Sequence, residues 1–298
     1  MSKIRFLLLL VLLVITLPEV SADEDCGLDN LAVCIPQKMI EFVVSIFNAP
    51  ADFLLDSIKD YLTEPVEIEH FRGLWQIMVY ILSIFYGLFL LFAGYQFVIS
   101  GSDVVKREMA KDWLKNIIFM MVFVQGSYIL YKILLAMGAG LSEGIMGLIN
   151  NSFFNITGSS LSGLGLQFIF SFSYINVLTL TLIMLFIRYL LVSLGIVLFP
   201  LGLFLYFIPP LRGYGKLIIE VGLILILLPF FQGLILLIGS MLVQLPLFDE
   251  LKIIVMIGSF SLVNLAMLFL IAFVGIKAVT YVGGVSGSVK AAMKYIGA

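Results

Sequence analysis

Between Tyr174 and Ile208 the chain runs for 35 residues with one charged side chain, Arg188. No water-facing surface can be built from such a stretch, and it is one of five. The others are Leu74–Val98, Asn116–Met137, Leu217–Gln244 and Ile253–Ile276. About 20 helical residues cross a hydrocarbon core of about 30 Å. Lipid offers the backbone no hydrogen bonds, so the spans must be helices or a closed barrel. These tracts are far longer than barrel strands. The fold class expected is therefore all-α and polytopic, with five transmembrane helices. Composition agrees, with 62% hydrophobic and 12% charged residues; soluble domains carry about 25% charged.

The third tract poses a length problem. Its 35 residues make about 52 Å of helix, too long for one straight span and too short for two with a turn. Pro200, flanked by Gly195 and Gly202, is expected to break it. Pro229 is expected to break the fourth span, and Pro209-Pro210 to end the third tract in a tight basic turn.

Residues 1–22 have the plan of a secretory signal peptide: Lys3 and Arg5, an apolar run from Phe6 to Leu17, then a small-residue ending at Ala22. A short signal anchor is the alternative. Residues 23–73 hold eleven acidic and three basic residues, and read as an exported acidic region. Asp52, Asp56 and Asp60 lie four apart on one helical stripe, with Leu54, Leu55, Ile58, Tyr61 and Leu62 largely on the other side. Two short amphipathic helices are expected, lying on the outer surface or packing on the spans. The acidic stripe reads first as a solvated face. Cys26 and Cys34 are the two cysteines. Export favours a disulfide between them, with two free thiols as the alternative.

Basic residues set the orientation. Lys106, Arg107, Lys111 and Lys115 lie in one loop, Arg212 and Lys216 in another, and Lys277, Lys290 and Lys294 in or beside the basic tail, residues 277–298. The opposite loops, 138–173 and 245–252, carry only Lys252. By the positive-inside rule the mature N-terminus is outside and the C-terminus cytoplasmic, in the cell membrane. Residues 74–276 form the membrane domain. Asn150 and Asn155 head Asn-X-Ser/Thr tripeptides on the outer side and are candidate glycosylation sites. Val105, Met109 and Trp113 recur at helical spacing, so an amphipathic helix leads into the second span.

Catalytic signals are absent from the sequence. The single histidine, His70, lies in an acidic stretch and reads as solvated; no Ser/His/Asp set, metal-spaced cluster or phosphate loop is present. An enzyme is not expected, nor a metal or cofactor. Ionisable residues within spans therefore draw attention. Arg188 and Glu220 fall at compatible depths, and are expected to form an ion pair or to line a hydrated path. Lys132, near a span end, is expected to snorkel. Gln125, Gln232 and Asn264 read as helix-to-helix hydrogen bonds.

Three stretches carry a family likeness: "LWQIMVYILSIFYGLFLLFAGYQFVISGSDVVKREMAKDWLKNI", "VLFPLGLFLYFIPPLRGYGKLI" and "IIVMIGSFSLVNLAMLFLI". With the order signal, exported helices, spans, the chain resembles the polytopic inner-membrane subunit of type IV secretion and conjugation machinery, most closely its archaeal DNA-exchange (Ced-type) relatives. The resemblance implies a subunit of a channel passing DNA or protein, working with an ATPase partner and other channel subunits, with transient contact to DNA. It supplies no catalytic or binding residues. Five spans could scarcely enclose a DNA-sized pore, so a homo-oligomer in the bilayer is expected if DNA passes. A small-solute channel or transporter and a non-conducting scaffold are the competing classes.

Overall fold

The computed structural model describes residues 31–102, 104–150, 153–154, 164–248 and 251–296. Seven helices make up nearly all of them: α1 (Leu31–Thr63), α2 (Arg72–Ile99), α3 (Val104–Gln125), α4 (Ser127–Met146), α5 (Leu164–Phe207), α6 (Arg212–Val243) and α7 (Lys252–Ile296). Short 3-10 turns precede α2, α3 and α6. No strand occurs among the described residues. Among the described residues, five helical segments are long and apolar enough to cross a membrane: Glu69–Ile99, Ser127–Met146, Ile169–Phe207, Arg212–Val243 and Lys252–Lys277. The chain is thus an all-α, multi-pass membrane protein. The signal-peptide region, Cys26 and Asn155 lie outside the described residues; Cys34 lies on the first turns of α1.

Three departures from the expected elements have physical causes. One helix of 33 residues, α1, replaces the two short ones. Pro50 removes an N–H from it, a cost of about 3 kcal/mol in a helix interior. Yet Phe47, Ala51, Leu55, Ile58 and Leu62 continue one apolar stripe across the proline, and all five are buried. The helix packs on the spans, while Asp52, Asp56 and Asp60 are exposed. An Ile58→Asp change would put an unpaired charge into that seam.

The second departure is at Pro200. Helix α5 passes through it for 44 residues without the expected break. Ile196 and Phe199 before it and Phe204 after it are buried, so packing holds both halves in line. Pro229 likewise sits inside α6. Pro209-Pro210 does end α5, in a turn over Pro209–Leu211.

The third concerns the second span. Residues 116–137 are helical except for a turn at Gly126, which divides them between the end of α3 and the start of α4, and the apolar span candidate is α4. Gly126 N–H still donates to the Val122 carbonyl at 2.9 Å, and Leu130 N–H to Gly126 at 3.1 Å, so the join is a bend rather than a loop. The charged half of α3 precludes a span there. Its packed face is Ala110, Ile117, Met120 and Val124; Val105 and Met109 are exposed. Trp113 meets Phe92 of α2 edge-on at 5.6 Å.

Three packing regions result, one of them in mid-bundle round Tyr131, Val192, Ile196 and Leu225. Helices α1, α4, α5, α6 and α7 share a core that includes Leu55, Ile58, Ile145, Tyr174, Leu178, Leu236 and Phe260. Helices α2 and α3 form a hairpin tied to the end of α5, where Phe85, Tyr86 and Phe89 gather round Phe204 at 5.8–6.4 Å. Beyond Phe89, α2 runs ten more residues, about 15 Å of helix.

Candidate functional site

A polar centre lies where α1, α4, α5 and α6 meet. Arg188, on α5, is 6% exposed. Its Nε donates to the Leu225 carbonyl of α6 at 2.9 Å, and its Nη1 to the Tyr61 carbonyl of α1 at 3.3 Å. Both acceptors are carbonyls without a helical donor. In an α-helix the carbonyl of residue i accepts from the N–H of residue i+4, and proline has no N–H. Pro229 stands four residues after Leu225, and Pro65 four after Tyr61. Pro229 denies the Leu225 carbonyl that donor inside α6, the Tyr61 carbonyl lies in the last turn of α1 where no helical N–H follows, and one guanidinium satisfies both. Tyr61 also lies in the last turn of α1, the negative end of the helix dipole, where a cation is favoured.

The same chemistry recurs nearby. Pro210 stands four residues after Tyr206, and Arg212 Nε donates to the Tyr206 carbonyl at 3.3 Å. This arginine is exposed and also covers the Tyr206 ring at 5.5 Å.

Close helix approach builds the walls around Arg188. A Cβ on Gly138 of α4 would lie 2.9 Å from the Ile226 carbonyl, so α4 meets α6 backbone to backbone beside the freed carbonyl. Ser142 Oγ donates to the Gly138 carbonyl at 3.0 Å. Tyr61 and Tyr189 pack edge to face at 5.7 Å. Below them Tyr131 donates its hydroxyl to the Val192 carbonyl at 2.6 Å. That ring lies across Gly195, where any Cβ would collide with the Tyr131 hydroxyl.

Arg188 borders a small pocket of about 10 Å³ lined also by Glu64, Gly138, Ser142 and Pro229, close to the space of a single water. Glu64 and Pro65 also line a wider cleft of about 500 Å³, with Asp60, Glu67 and Tyr189. The cation is thus separated from an acid-lined cleft by the last residues of α1 and the segment after it.

The expected Arg188–Glu220 ion pair does not form. Glu220 instead takes Lys277 of α7 at 2.9 Å and Lys216, one turn before it, at 3.6 Å. Leu225 lies five residues beyond Glu220 on α6, about 7.5 Å along the axis, and that offset takes Arg188 to a carbonyl rather than the carboxylate. Lys132 pairs with Glu69 at 3.1 Å, and His70 is exposed beside Glu67. Asn264 reaches the Val177 carbonyl of α5 at 3.5 Å. Gln232 is 1% exposed, and its carbonyl oxygen has no partner among the described residues. Lys106, Arg107, Lys111 and Lys115 are all exposed on α3, as is Lys216 on α6 and Asn150 after α4; Lys111 pairs with Glu108 at 2.7 Å.

The missed signal was the prolines. Counting four residues back from Pro65, Pro210 and Pro229 marks Tyr61, Tyr206 and Leu225 as carbonyls in need of a donor. Arg188 is the sole charged donor in the third tract.

What the fold and this centre define is a multi-pass helical membrane protein braced at its middle by one buried arginine. No known protein family, no curated protein and no solved structure matches the chain.

Proposed function

We propose that this chain is a membrane-embedded subunit of a translocation channel of the type IV secretion or conjugation kind, passing DNA or protein with an ATPase partner. The observation that carries the reading is the α2–α3 hairpin. It runs past the end of α5 and exposes Lys106, Arg107, Lys111 and Lys115 on α3. On the orientation given by the basic residues, that surface faces the cytoplasm, where an ATPase and nucleic acid would approach. Helix α1 would then lie on the outer side, anchored to the spans through Arg188. The pocket beside Arg188 measures about 10 Å³, far too small for a polymer, so the path would run between copies or beside other subunits.

One feature favours a small-solute channel instead: the acid-lined cleft of about 500 Å³ at Asp60, Glu64 and Glu67, a size suited to a small ligand. A cell lacking this chain separates the two. The channel reading expects loss of DNA or protein transfer, restored by the wild-type chain and restored poorly by a chain with all four α3 basic residues changed to Gln. Full transfer in the deleted cell, with a defect confined to uptake of a small cation, would overturn it.

A further inference from the structure

Helices α6 and α7 mark their own depth. On α7 no charged residue stands between Lys252 and Lys277. Ile253–Ile276 make about 36 Å of helix, enough to cross a hydrocarbon core of about 30 Å. On α6 the uncharged run Val221–Val243 begins just past Glu220, which holds Lys277 at 2.9 Å, so the two runs share one end. Asn264 stands close to midway between Lys252 and Lys277. Its amide reaches the Val177 carbonyl of α5 at 3.5 Å, which puts Val177 near the middle of this apolar band.

Helix α1 lies beside α5 inside the same band. Its foot is at Tyr61, whose ring meets Tyr189 at 5.7 Å and whose carbonyl takes Arg188. Tyr189 is 12 residues past Val177, about 18 Å along α5. Before Tyr61, Phe47, Ala51, Leu55 and Ile58 pack in one cluster with Tyr174, Leu178 and Phe260. After it, Val66 and Ile68 pack with Val192 and Phe199. The stretch from Phe47 to Tyr61 thus runs in the direction of α5, from near the middle of the band toward its Lys277 end. Asp60 stands beside Tyr61, and Asp56 and Asp52 lie about 6 and 12 Å farther back toward the middle. All three are exposed.

Lipid cannot cover three carboxylates at these depths. Ionisable side chains within a membrane face the bundle interior or a water-filled cavity, and the interior side of α1 is taken by its apolar seam. The space for water is there. A cleft of about 500 Å³ opens between α1 and α5, with Ser57, Asp60, Glu64 and Glu67 on one wall and Phe186 and Leu190 on the other, room for a cluster of waters.

We propose that the acidic face of α1 walls a water-filled crevice, which enters the apolar band beside α5 and ends at the Arg188 brace. Its water solvates Asp52, Asp56 and Asp60, and so lets a helix with a charged face stand at a depth where α6 and α7 meet lipid. The crevice belongs to the single chain, whether a polymer or a small solute crosses the membrane.

The test places single cysteines in a full chain carrying Cys26→Ser and Cys34→Ser, held in lipid nanodiscs so that reagent reaches both membrane faces. A positively charged methanethiosulfonate, which stays out of lipid, reads the rate of thiol modification. Ser57→Cys lines the crevice and is nearly isosteric; Asp56→Cys lies on the acidic face. Leu265→Cys, next to Asn264 at a position 59% exposed, is the lipid-facing control. Both α1 cysteines should react at least about a hundredfold faster than Leu265→Cys, because the thiolate that attacks forms in water and not in lipid. Ser57→Cys carries the test alone if Asp56→Cys does not fold. A rate at Ser57→Cys as slow as at Leu265→Cys would overturn the crevice, since lipid or a second polypeptide then covers the face. So would a fast rate in detergent that is lost in the nanodisc.

Discussion

Arg188 and Arg212 make the same bond in opposite surroundings. Each gives its Nε to a carbonyl standing four residues before a proline, Leu225 in one case and Tyr206 in the other. Arg188 does so at 2.9 Å with 6% of its surface exposed. Arg212 does so at 3.3 Å on an exposed turn. Water has free access to Arg212 on its exposed turn, whereas Arg188 is buried among helices. An unpaired buried polar group costs about 1–3 kcal/mol, while a typical hydrogen bond nets about 1. The proline sets where a donor is needed; burial sets how much the donor matters.

The largest expected effect follows from that difference. Arg188→Ala should destabilise the protein by about 2–4 kcal/mol, since the buried Leu225 carbonyl and the part-buried Tyr61 carbonyl both lose their donor. Thermal unfolding in detergent reads it, and proteolysis should show α1 released first. Arg188→Lys should recover only part, because an ammonium lacks the fork that reaches two acceptors. A wild-type melting curve for Arg188→Ala would put the brace out of consideration.

Next comes the contact below the brace. Gly195→Ala drives a methyl into the Tyr131 hydroxyl, and overpacking of this kind costs about 1–3 kcal/mol. Tyr131→Phe removes the same hydroxyl together with its bond to Val192, for about 0.5–1.5 kcal/mol. The double variant should be more stable than Gly195→Ala alone. Additive losses would show that the two do not meet.

Arg212→Ala should have the smallest effect, within about 0.5 kcal/mol. A loss as large as that of Arg188→Ala would erase the contrast between the two arginines.

Much of the fold was legible because apolar run length is a one-dimensional property. Tyr174–Ile208 and Leu217–Gln244 read as helical membrane tracts from composition alone, and helices cover both. Continuity through Pro50, Pro200 and Pro229 was not legible. Whether a proline breaks a helix depends on what is packed either side of it, such as Ile196, Phe199 and Phe204. The candidate site was half legible. Arg188 stood out as a charge within a span, but depth was the wrong guide to its partner. Glu220 has a lysine one turn away and another across on α7, and a sequence can show only the first by spacing. Backbone acceptors carry no letter in a sequence; they appear only when a proline is taken to mark the carbonyl four residues before it.

The measurement that bears most directly on the brace is a double-mutant cycle on Arg188 and Pro229. Pro229→Ala restores an N–H four residues after Leu225, inside a helix that already runs through that position. The Leu225 carbonyl then has a donor of its own. Arg188→Ala should cost at least about 1 kcal/mol less in the Pro229→Ala background than in the wild type, with only the Tyr61 carbonyl still deprived. Equal costs in the two backgrounds would contradict the claim that Arg188 stands in for the missing proline N–H.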